Sequence, residues 1–337
     1  RIAMRRVTNA SLTRANSFGL ESTAEELIDV SSVEELLESL THSPSATILG
    51  EGSNVVLHRY VPGPVIRIRI RGISTKRIGE SAYHIRVGAG ERWNELVRSL
   101  LGQGIRGLEN LSLIPGSVGA APYQNIGAYG RELGSMVESV EVVDRAERAV
   151  KTLTAAECEF RYRDSVFKSG SPERYVITYV NIRTGDQAIE RSYPDIDAEL
   201  RKLGCDCPNP IHVANAVTRV RRRKLPDPRV FGNVGSFFKN PLLSVNDYEV
   251  LRGKCEIQGF EEGELMKVSA ARLIEASGWK GCSRGAVAVW RRQPLVLINT
   301  GGATAIDVLG LADRIVDDVH QRYGVILERE PVEMGRP

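Results

Sequence analysis

A glycine turn that runs straight into a second apolar segment constrains this chain more than any other feature. Thr47-Ile48-Leu49 is a short apolar run, Gly50-Glu51-Gly52-Ser53-Asn54 follows, and Val55-Val56-Leu57 restores the apolar character at once. Two glycines let backbone approach a ligand, and backbone N–H groups beside small polar side chains suit a pyrophosphate. A Rossmann fingerprint needs a third glycine and a following helix. Strand, turn, strand is expected here, so the Rossmann architecture is excluded; a tight hairpin turn is the other use of the same residues.

A second glycine-rich segment, Ile114-Pro115-Gly116-Ser117-Val118-Gly119-Ala120-Ala121, is both apolar and small, which suits contact with a flat ring. Its continuation, Gln124-Asn125-Ile126-Gly127-Ala128-Tyr129-Gly130, adds amide donors and acceptors. A packed internal loop could use these residues too. Two such loops in one chain point to an extended dinucleotide.

Around the loops the apolar periodicity predicts helices over 22–40, 93–101, 195–203, 211–224, 268–277 and 305–323. It predicts strands over 65–70, 83–87, 137–143, 175–182, 286–289, 295–299 and 325–327. The helix at 211–224 must stop before Pro226, and a unit boundary is expected there. At 337 residues the chain exceeds what one core usually serves, so two or three packed units are expected.

Forty-five basic against 42 acidic residues leave a charge of +3, which gives no argument for nucleic acid. Arg219 to Lys224 is a dense basic run that reads as a solvated helix face, a phosphate site or a nucleic-acid patch. No aromatic residue interrupts it, which disfavours the last. Five cysteines form no CxxC pair and leave an odd number, as in a reducing compartment, and no metal site is expected. No apolar run reaches a membrane-spanning length and none follows the basic residues 1–6, so a cytoplasmic location is the expectation.

The segments GEGSN, LSLIPGSVGAAPYQNIGAYG, FRYRDSVFK, KLPDPRVFGNVGSFFKNP and VLIN, in that order, resemble the UDP-N-acetylenolpyruvoylglucosamine reductase family. The resemblance runs from Asn16-Ser17-Phe18-Gly19 to Glu330. It implies an α+β protein with an FAD-binding half of the vanillyl-alcohol-oxidase (PCMH) type and a smaller α+β substrate domain. The implied division is 1–70 with the tail 331–337, then 71–220, then 221–330. It also implies NADPH as reductant, a UDP-N-acetylglucosamine enolpyruvate substrate and a place in peptidoglycan synthesis. Gly50, Glu51, Gly52, Ser53, Asn54, Pro115, Gly116, Ser117, Gly119, Ala120, Gln124, Asn125 and Gly127 are the implied FAD-binding positions. Neither loop holds a histidine or cysteine that could tether a flavin, so non-covalent binding is expected.

The implied reaction delivers a hydride to the methylene of an enol ether and leaves negative charge on the adjacent carbon and its carboxylate. Arg163, after Tyr162, matches the arginine that holds this carboxylate, and a guanidinium that stays charged suits a developing enolate. Ser236 in Gly235-Ser236-Phe237-Phe238 matches the proton donor; no GxSxG elbow surrounds it, which removes a hydrolase reading. Glu330 matches the catalytic glutamate, although Arg329 replaces the usual proline, and Glu328 is the fallback. Val332 stands where some relatives carry arginine. Lys224 matches a diphosphate contact, which turns Arg219–Arg223 into a helix face whose end meets phosphate. Tyr162, Asn240 and Gln293 match polar substrate contacts. Arg191-Ser192-Tyr193-Pro194-Asp195 sits where the first of two subtypes carries a tyrosine loop, with Tyr193 closing over the substrate. Another flavin oxidoreductase of the same architecture is the alternative; it would share the glycine loops but not Ser236 with Lys224.

Overall fold

A computed structural model describes residues 4–185, 189–191, 193–205 and 207–336, so Ser192 of the tyrosine segment and part of the basic N-terminal stretch lie outside the described residues. The chain forms two compact units, each assembled from separate stretches. The first holds Arg1–Ala10, Ala24–Glu51 and Gly63–Arg222; the second holds Ser11–Thr23, Gly52–Pro62 and Arg223–Pro337.

The first unit is built on two sheets. A five-stranded antiparallel sheet has the order Ala149–Thr154, Val137–Asp144, Tyr175–Thr184, Tyr83–Gly88, Ile73–Arg77. Its inward residues, among them Ile85, Val87, Val140, Val142, Val180 and Ile182, are fully buried against helix Trp93–Gly102 through Trp93, Leu96 and Val97. The second sheet has the order Arg5–Ser11, Thr23–Val30, Tyr60–Ile68, Thr47–Leu49. Its last pair is parallel, with Ile48 opposite Ile66. Helices Pro194–Lys202 and Pro210–Lys224 share a separate small core of Ile196, Leu200, Val213, Val217 and Val220.

The expected helix over 22–40 divides. Thr23–Val30 is a strand and only Val33–His42 is helical. Leu27, Ile28 and Val30 satisfy either period over so short a span, and the break is set by Ser31-Ser32. Ser32 accepts from Glu35 N at 3.2 Å and Glu35 Oε2 accepts from Ser31 N at 2.6 Å, a capping pair that starts a helix there.

In the second unit helix Ala305–Tyr323 lies where the periodicity put it, opened by a Thr304/Asp307 capping box and closed by Gly324 at φ 76°. It packs Val308, Leu311, Ile315 and Val319 into a core with Phe237, Phe238, Val287, Val289 and Leu297. The expected strand at 325–327 does not form. Val325 and Leu327 are buried and Ile326 is exposed, so the alternation is real, but strand pairing begins later, at Val332–Met334. That strand runs parallel to Val55–Leu57, with Val332 opposite Val55 and Met334 opposite Leu57. Among the described residues no helix is long and apolar enough to cross a membrane, and no cluster of metal-ligating side chains occurs.

Candidate active site

The glycine turn is not a hairpin. Thr47–Leu49 pairs with Tyr60–Ile68 whereas Val55–Leu57 pairs with Val332–Met334, so the turn joins strands of different sheets. Its two glycines are needed first for packing. A Cβ on Gly50 would stand 2.6 Å from Ser117 Oγ, which brings the two glycine loops together in the first unit. Gly52 has φ +63°, and a Cβ there would meet the Ala15 carbonyl oxygen at 1.9 Å. A left-handed residue in such a turn can bring successive N–H groups toward one point, as in an anion nest, so the turn is compatible with a pyrophosphate.

The second loop is held by the segment that follows strand Tyr83–Gly88. Gly119 N donates to Ala89 O at 2.9 Å, Trp93 N to Gly116 O at 2.9 Å and Val118 N to Glu91 O at 2.8 Å. Gly119 leaves no room for a side chain, since its Cβ would reach Ala89 Cβ at 2.5 Å. Pro115 and Ala120 are exposed while Gly116 and Ser117 are buried, so the loop offers small groups outward from a fixed backbone. The Glu51 carboxylate takes a 2.9 Å bond from Arg92 Nε.

Asn125 has a different place from the one expected. Its Oδ1 accepts from Gly134 N at 2.7 Å, and its Nδ2 donates to Glu132 Oε2 and Arg161 O, both at 3.0 Å. These bonds make it a buried strut for the loop that carries Arg163. That loop is a tight turn closed by reciprocal Arg161–Asp164 backbone bonds of 3.0 and 3.2 Å. Arg163 occupies its second central position at φ 53°, where glycine or asparagine is favoured. The strain, of order 1 kcal/mol, is held by Arg163 itself: Nη2 donates to Gly127 O at 2.7 Å and Nη1 to Asn125 O at 3.4 Å. Its guanidinium carbon stands 5.3 Å from the Tyr162 ring centre. Tyr193 is 45% exposed and meets Tyr129 edge to face at 5.8 Å.

The second unit sets Ser236 in a short extended segment with a neighbour on each side. Gly235 at φ +75° follows an Asn233 side-chain turn, in which Asn233 Oδ1 accepts from Gly235 N at 2.9 Å. Ser236 pairs with Val296 and Phe237 N donates to Leu295 O at 2.7 Å, on the stretch that begins at Gln293. On the other side Phe238 pairs with Arg329, through Lys239 N to Glu328 O and Glu330 N to Phe237 O, both 2.9 Å. Arg329 N takes no part in this bridge, so a proline there would forfeit neither of its bonds. Arg329 instead pairs with Asp313 on helix Ala305–Tyr323. Glu328 is 70% exposed and bound by Lys239 Nζ at 2.8 Å, whereas Glu330 is half-buried. Asn54 of the glycine turn reaches the same segment, with Nδ2 3.3 Å from Glu330 O and its own carbonyl accepting from Val332 N at 3.0 Å.

Lys224 closes helix Pro210–Lys224, its carbonyl taking the Trp290 indole N–H at 3.0 Å. Asn240 Oδ1 accepts from Ala270 N at 3.0 Å and Gln293 Oε1 from Leu295 N at 3.4 Å, so both polar side chains also serve the fold. The basic run is not one solvated face. Arg219, Arg222 and Arg223 are exposed, but Arg221 is half-buried, in line with the buried Ala214 and Val217 at spacings of seven and four residues. The same period was readable in the sequence, where the density of charge obscured it.

An FAD binding domain family matches residues 27–153, and the UDP-N-acetylenolpyruvoylglucosamine reductase C-terminal domain family matches 227–334. The chain is 44% identical over 336 residues to the UDP-N-acetylenolpyruvoylglucosamine reductase of Xanthomonas euvesicatoria, covering 97% of this chain and 95% of that one. It is 42% identical over 331 residues to that of Burkholderia vietnamiensis, covering 95% of each. The crystal structure of the corresponding reductase from Thermus caldophilus aligns over 98% of both chains with a TM-score of 0.67 at 26% identity. With this coverage and identity, the chain is a flavin-dependent enzyme that belongs to the UDP-N-acetylenolpyruvoylglucosamine reductase family.

Proposed function

We propose that this enzyme reduces the enolpyruvyl ether of UDP-N-acetylglucosamine to the lactyl ether for peptidoglycan synthesis, with NADPH as reductant and FAD as carrier, in the cytoplasm. The observation that carries the reading is the paired segment of the second unit, which fixes the backbone of Glu330 against Phe237, one residue from Ser236. The turn 50–54 and the loop 115–127 would hold FAD without a covalent link, through backbone donors and small side chains. Asn125 acts there by positioning. The division 1–70 with 331–337, 71–220 and 221–330 belongs to this reading, as does the first subtype, with Tyr193 over the substrate. No nucleic acid or membrane partner enters it.

Bound FAD supplies a hydride, from N5, to the substrate methylene. Arg163 holds the carboxylate and stabilises the negative charge that develops next to it, from a site oriented before reaction. Ser236 delivers the proton to the adjacent carbon. A serine hydroxyl is a weak acid, so it serves only against a strongly basic carbon in a water-poor site. Glu330 orients the carboxylate region, Lys224 contacts the diphosphate, and Tyr162, Asn240 and Gln293 offer polar contacts to the sugar nucleotide. Stopped-flow measurement of reduced enzyme mixed with the enolpyruvyl UDP-sugar tests the function. Rapid flavin reoxidation, with one lactyl ether formed per NADPH, is expected; a reduced flavin indifferent to this substrate would refute it.

A further inference from the structure

Asn110 holds two separate pieces of the first unit with one side chain. It is 1% exposed, in the short 3-10 helix Glu109–Leu111. Its Nδ2 donates to Tyr129 O at 2.9 Å and to Glu190 O at 3.0 Å. The first carbonyl belongs to the Tyr129–Gly130 turn that joins Gly127–Ala128 to Arg131–Glu132, and the second lies three residues before Tyr193. Two carbonyl partners fix the orientation of the amide, since a flipped side chain would set oxygen against oxygen. The remaining Oδ1 is shut off from solvent and accepts no hydrogen bond. A buried amide is seldom left half-used, so the two donor bonds persist here although the acceptor goes unmet. The helix that carries Asn110 is itself anchored on helix Trp93–Gly102: the Trp93 indole donates to Leu111 O at 3.0 Å, and Asn94 Oδ1 accepts from Leu113 N at 2.6 Å. The turn that it grips needs holding. Tyr129 at φ 48° and Gly130 at φ 81° are both left-handed, a conformation that favours asparagine and glycine over tyrosine. A Cβ on Gly130 would stand 2.9 Å from Glu190 Cγ and 3.6 Å from Tyr193 Cε2, so turn and tyrosine segment are in close contact.

We propose that Asn110 is a positioning residue for the tyrosine segment: its amide clamps Glu190 to the Tyr129 turn and so keeps Tyr193 where it closes over the substrate. The inference rests on the reductase reading above, in which Tyr193 covers the sugar nucleotide, and adds the residue that holds it there. Tyr193 is half-exposed and meets the Tyr129 ring by an edge, so burial alone does little to fix it. A segment that is competent only part of the time weakens apparent affinity in proportion to the fraction closed, whereas saturating substrate restores the closed form. Loss of the clamp therefore acts on substrate affinity and not on the limiting rate of hydride transfer. Arg163 is held independently, because its anchor on Gly127 O lies in the strand before the turn, where Gly127 pairs with Glu132.

The test is Asn110→Leu in the FAD-loaded enzyme, which keeps the side-chain shape and removes both donors, with Asn110→Ser, Tyr193→Ala and the double variant Asn110→Leu/Tyr193→Ala beside it. Expected for Asn110→Leu are a roughly 10-fold weaker affinity for the enolpyruvyl UDP-sugar, an unchanged limiting rate of flavin reoxidation and normal flavin content. Asn110→Ser, which keeps one donor, should lose less. Trypsin should cut Asn110→Leu after the exposed Arg191 roughly 10-fold faster than wild type, with no acceleration at other sites. The double variant should bind no more weakly than Tyr193→Ala, because the clamp acts through that residue. Further weakening in the double variant, a lower limiting rate with affinity intact, faster cleavage at every site, or loss of flavin in both Asn110 variants would each overturn the proposal. If Tyr193→Ala leaves affinity unchanged, the covering role of Tyr193 fails and the clamp with it; if it weakens binding while Asn110→Leu does not, only the clamp fails. Wild-type enzyme that ignores the enolpyruvyl ligand would refute the function, whereas selective cleavage after Arg191 still reads the hold of Asn110 on the segment.

Discussion

Asp144 and Arg221 are both charged groups withdrawn from water in the first unit, and they are treated in opposite ways. Asp144 is fully buried at the end of strand Val137–Asp144. Arg174 Nη2 reaches its Oδ2 at 2.8 Å, Lys151 Nζ reaches the same oxygen at 3.0 Å, and Oδ1 accepts from the backbone of Ala146 at 3.0 Å and Glu147 at 3.3 Å. Burial would raise its pKa, yet these bonds outweigh burial and hold the carboxyl far below the usual carboxylate range. Arg221 is half-buried, and its Nε is shut off from solvent with no hydrogen bond. A buried charge that serves the fold is closed by the protein on every side.

The largest expected effect comes from reopening the closed site. Asp144→Ala should lower stability by about 3 kcal/mol, since two cations and two backbone donors lose their acceptor. Denaturant unfolding checks this, and a loss below 1 kcal/mol would put Asp144 in the same class as a surface charge. The sign with pH follows from the lowered pKa. The stabilisation is complete above the ordinary carboxylate range and disappears only as pH falls through the depressed folded-state value. Acid unfolding of wild type, but not of Asp144→Asn, should show this contribution.

A reacting side chain should give the reverse signature. Ser236→Ala should leave melting temperature and flavin reduction by NADPH nearly untouched, while reoxidation by the enolpyruvyl substrate slows by about 10²-fold, as on loss of a general acid. Equal reoxidation rates in variant and wild type would sink the proton-donor role. Next in size is Lys224→Ala, which should weaken substrate binding by roughly 2 kcal/mol with flavin content normal. Loss of flavin with intact substrate affinity would move Lys224 to the cofactor.

The smallest effect separates two neighbouring glutamates. Glu328 is a closed surface pair with Lys239, so Glu328→Gln should change stability by less than about 1 kcal/mol and leave reoxidation alone. Glu330→Gln should slow reoxidation without disturbing Glu330 N, which holds the segment to Phe237. If Glu328→Gln slowed reoxidation instead, the sequence register at Arg329 would have to shift.

Much of this was legible in the sequence where the signal is local. Helix Ala305–Tyr323 carries its own start and stop in Thr304, Asp307 and Gly324, and its bounds coincide with its period. The glycine loops announced themselves, but their purpose was only half read, because Gly50 and Gly119 are small to admit Ser117 and Ala89 rather than a ligand alone. What was not legible depends on distant partners. No local pattern says that Val332–Met334 rather than 325–327 joins a ladder, since the deciding partner is Val55–Leu57. Arg221 was misplaced for another reason: five basic residues in six mask a period that the apolar residues before them make plain.

The parallel pairing of Val332–Met334 with Val55–Leu57 also bears on how the chain is made. At synthesis rates of about 5–20 residues per second, a strand emerging early waits on the order of tens of seconds for a partner so far along. His58, buried and bonded to Glu333 at 2.6 Å, waits with it. The second unit draws on Ser11–Thr23 and Gly52–Pro62 as well as Arg223–Pro337, so those early stretches leave the ribosome with apolar residues such as Phe18, Leu20 and Val56 uncovered. For that interval the nascent chain carries exposed apolar surface of the kind that favours aggregation, and a translational pause placed before Arg223 would lengthen its exposure.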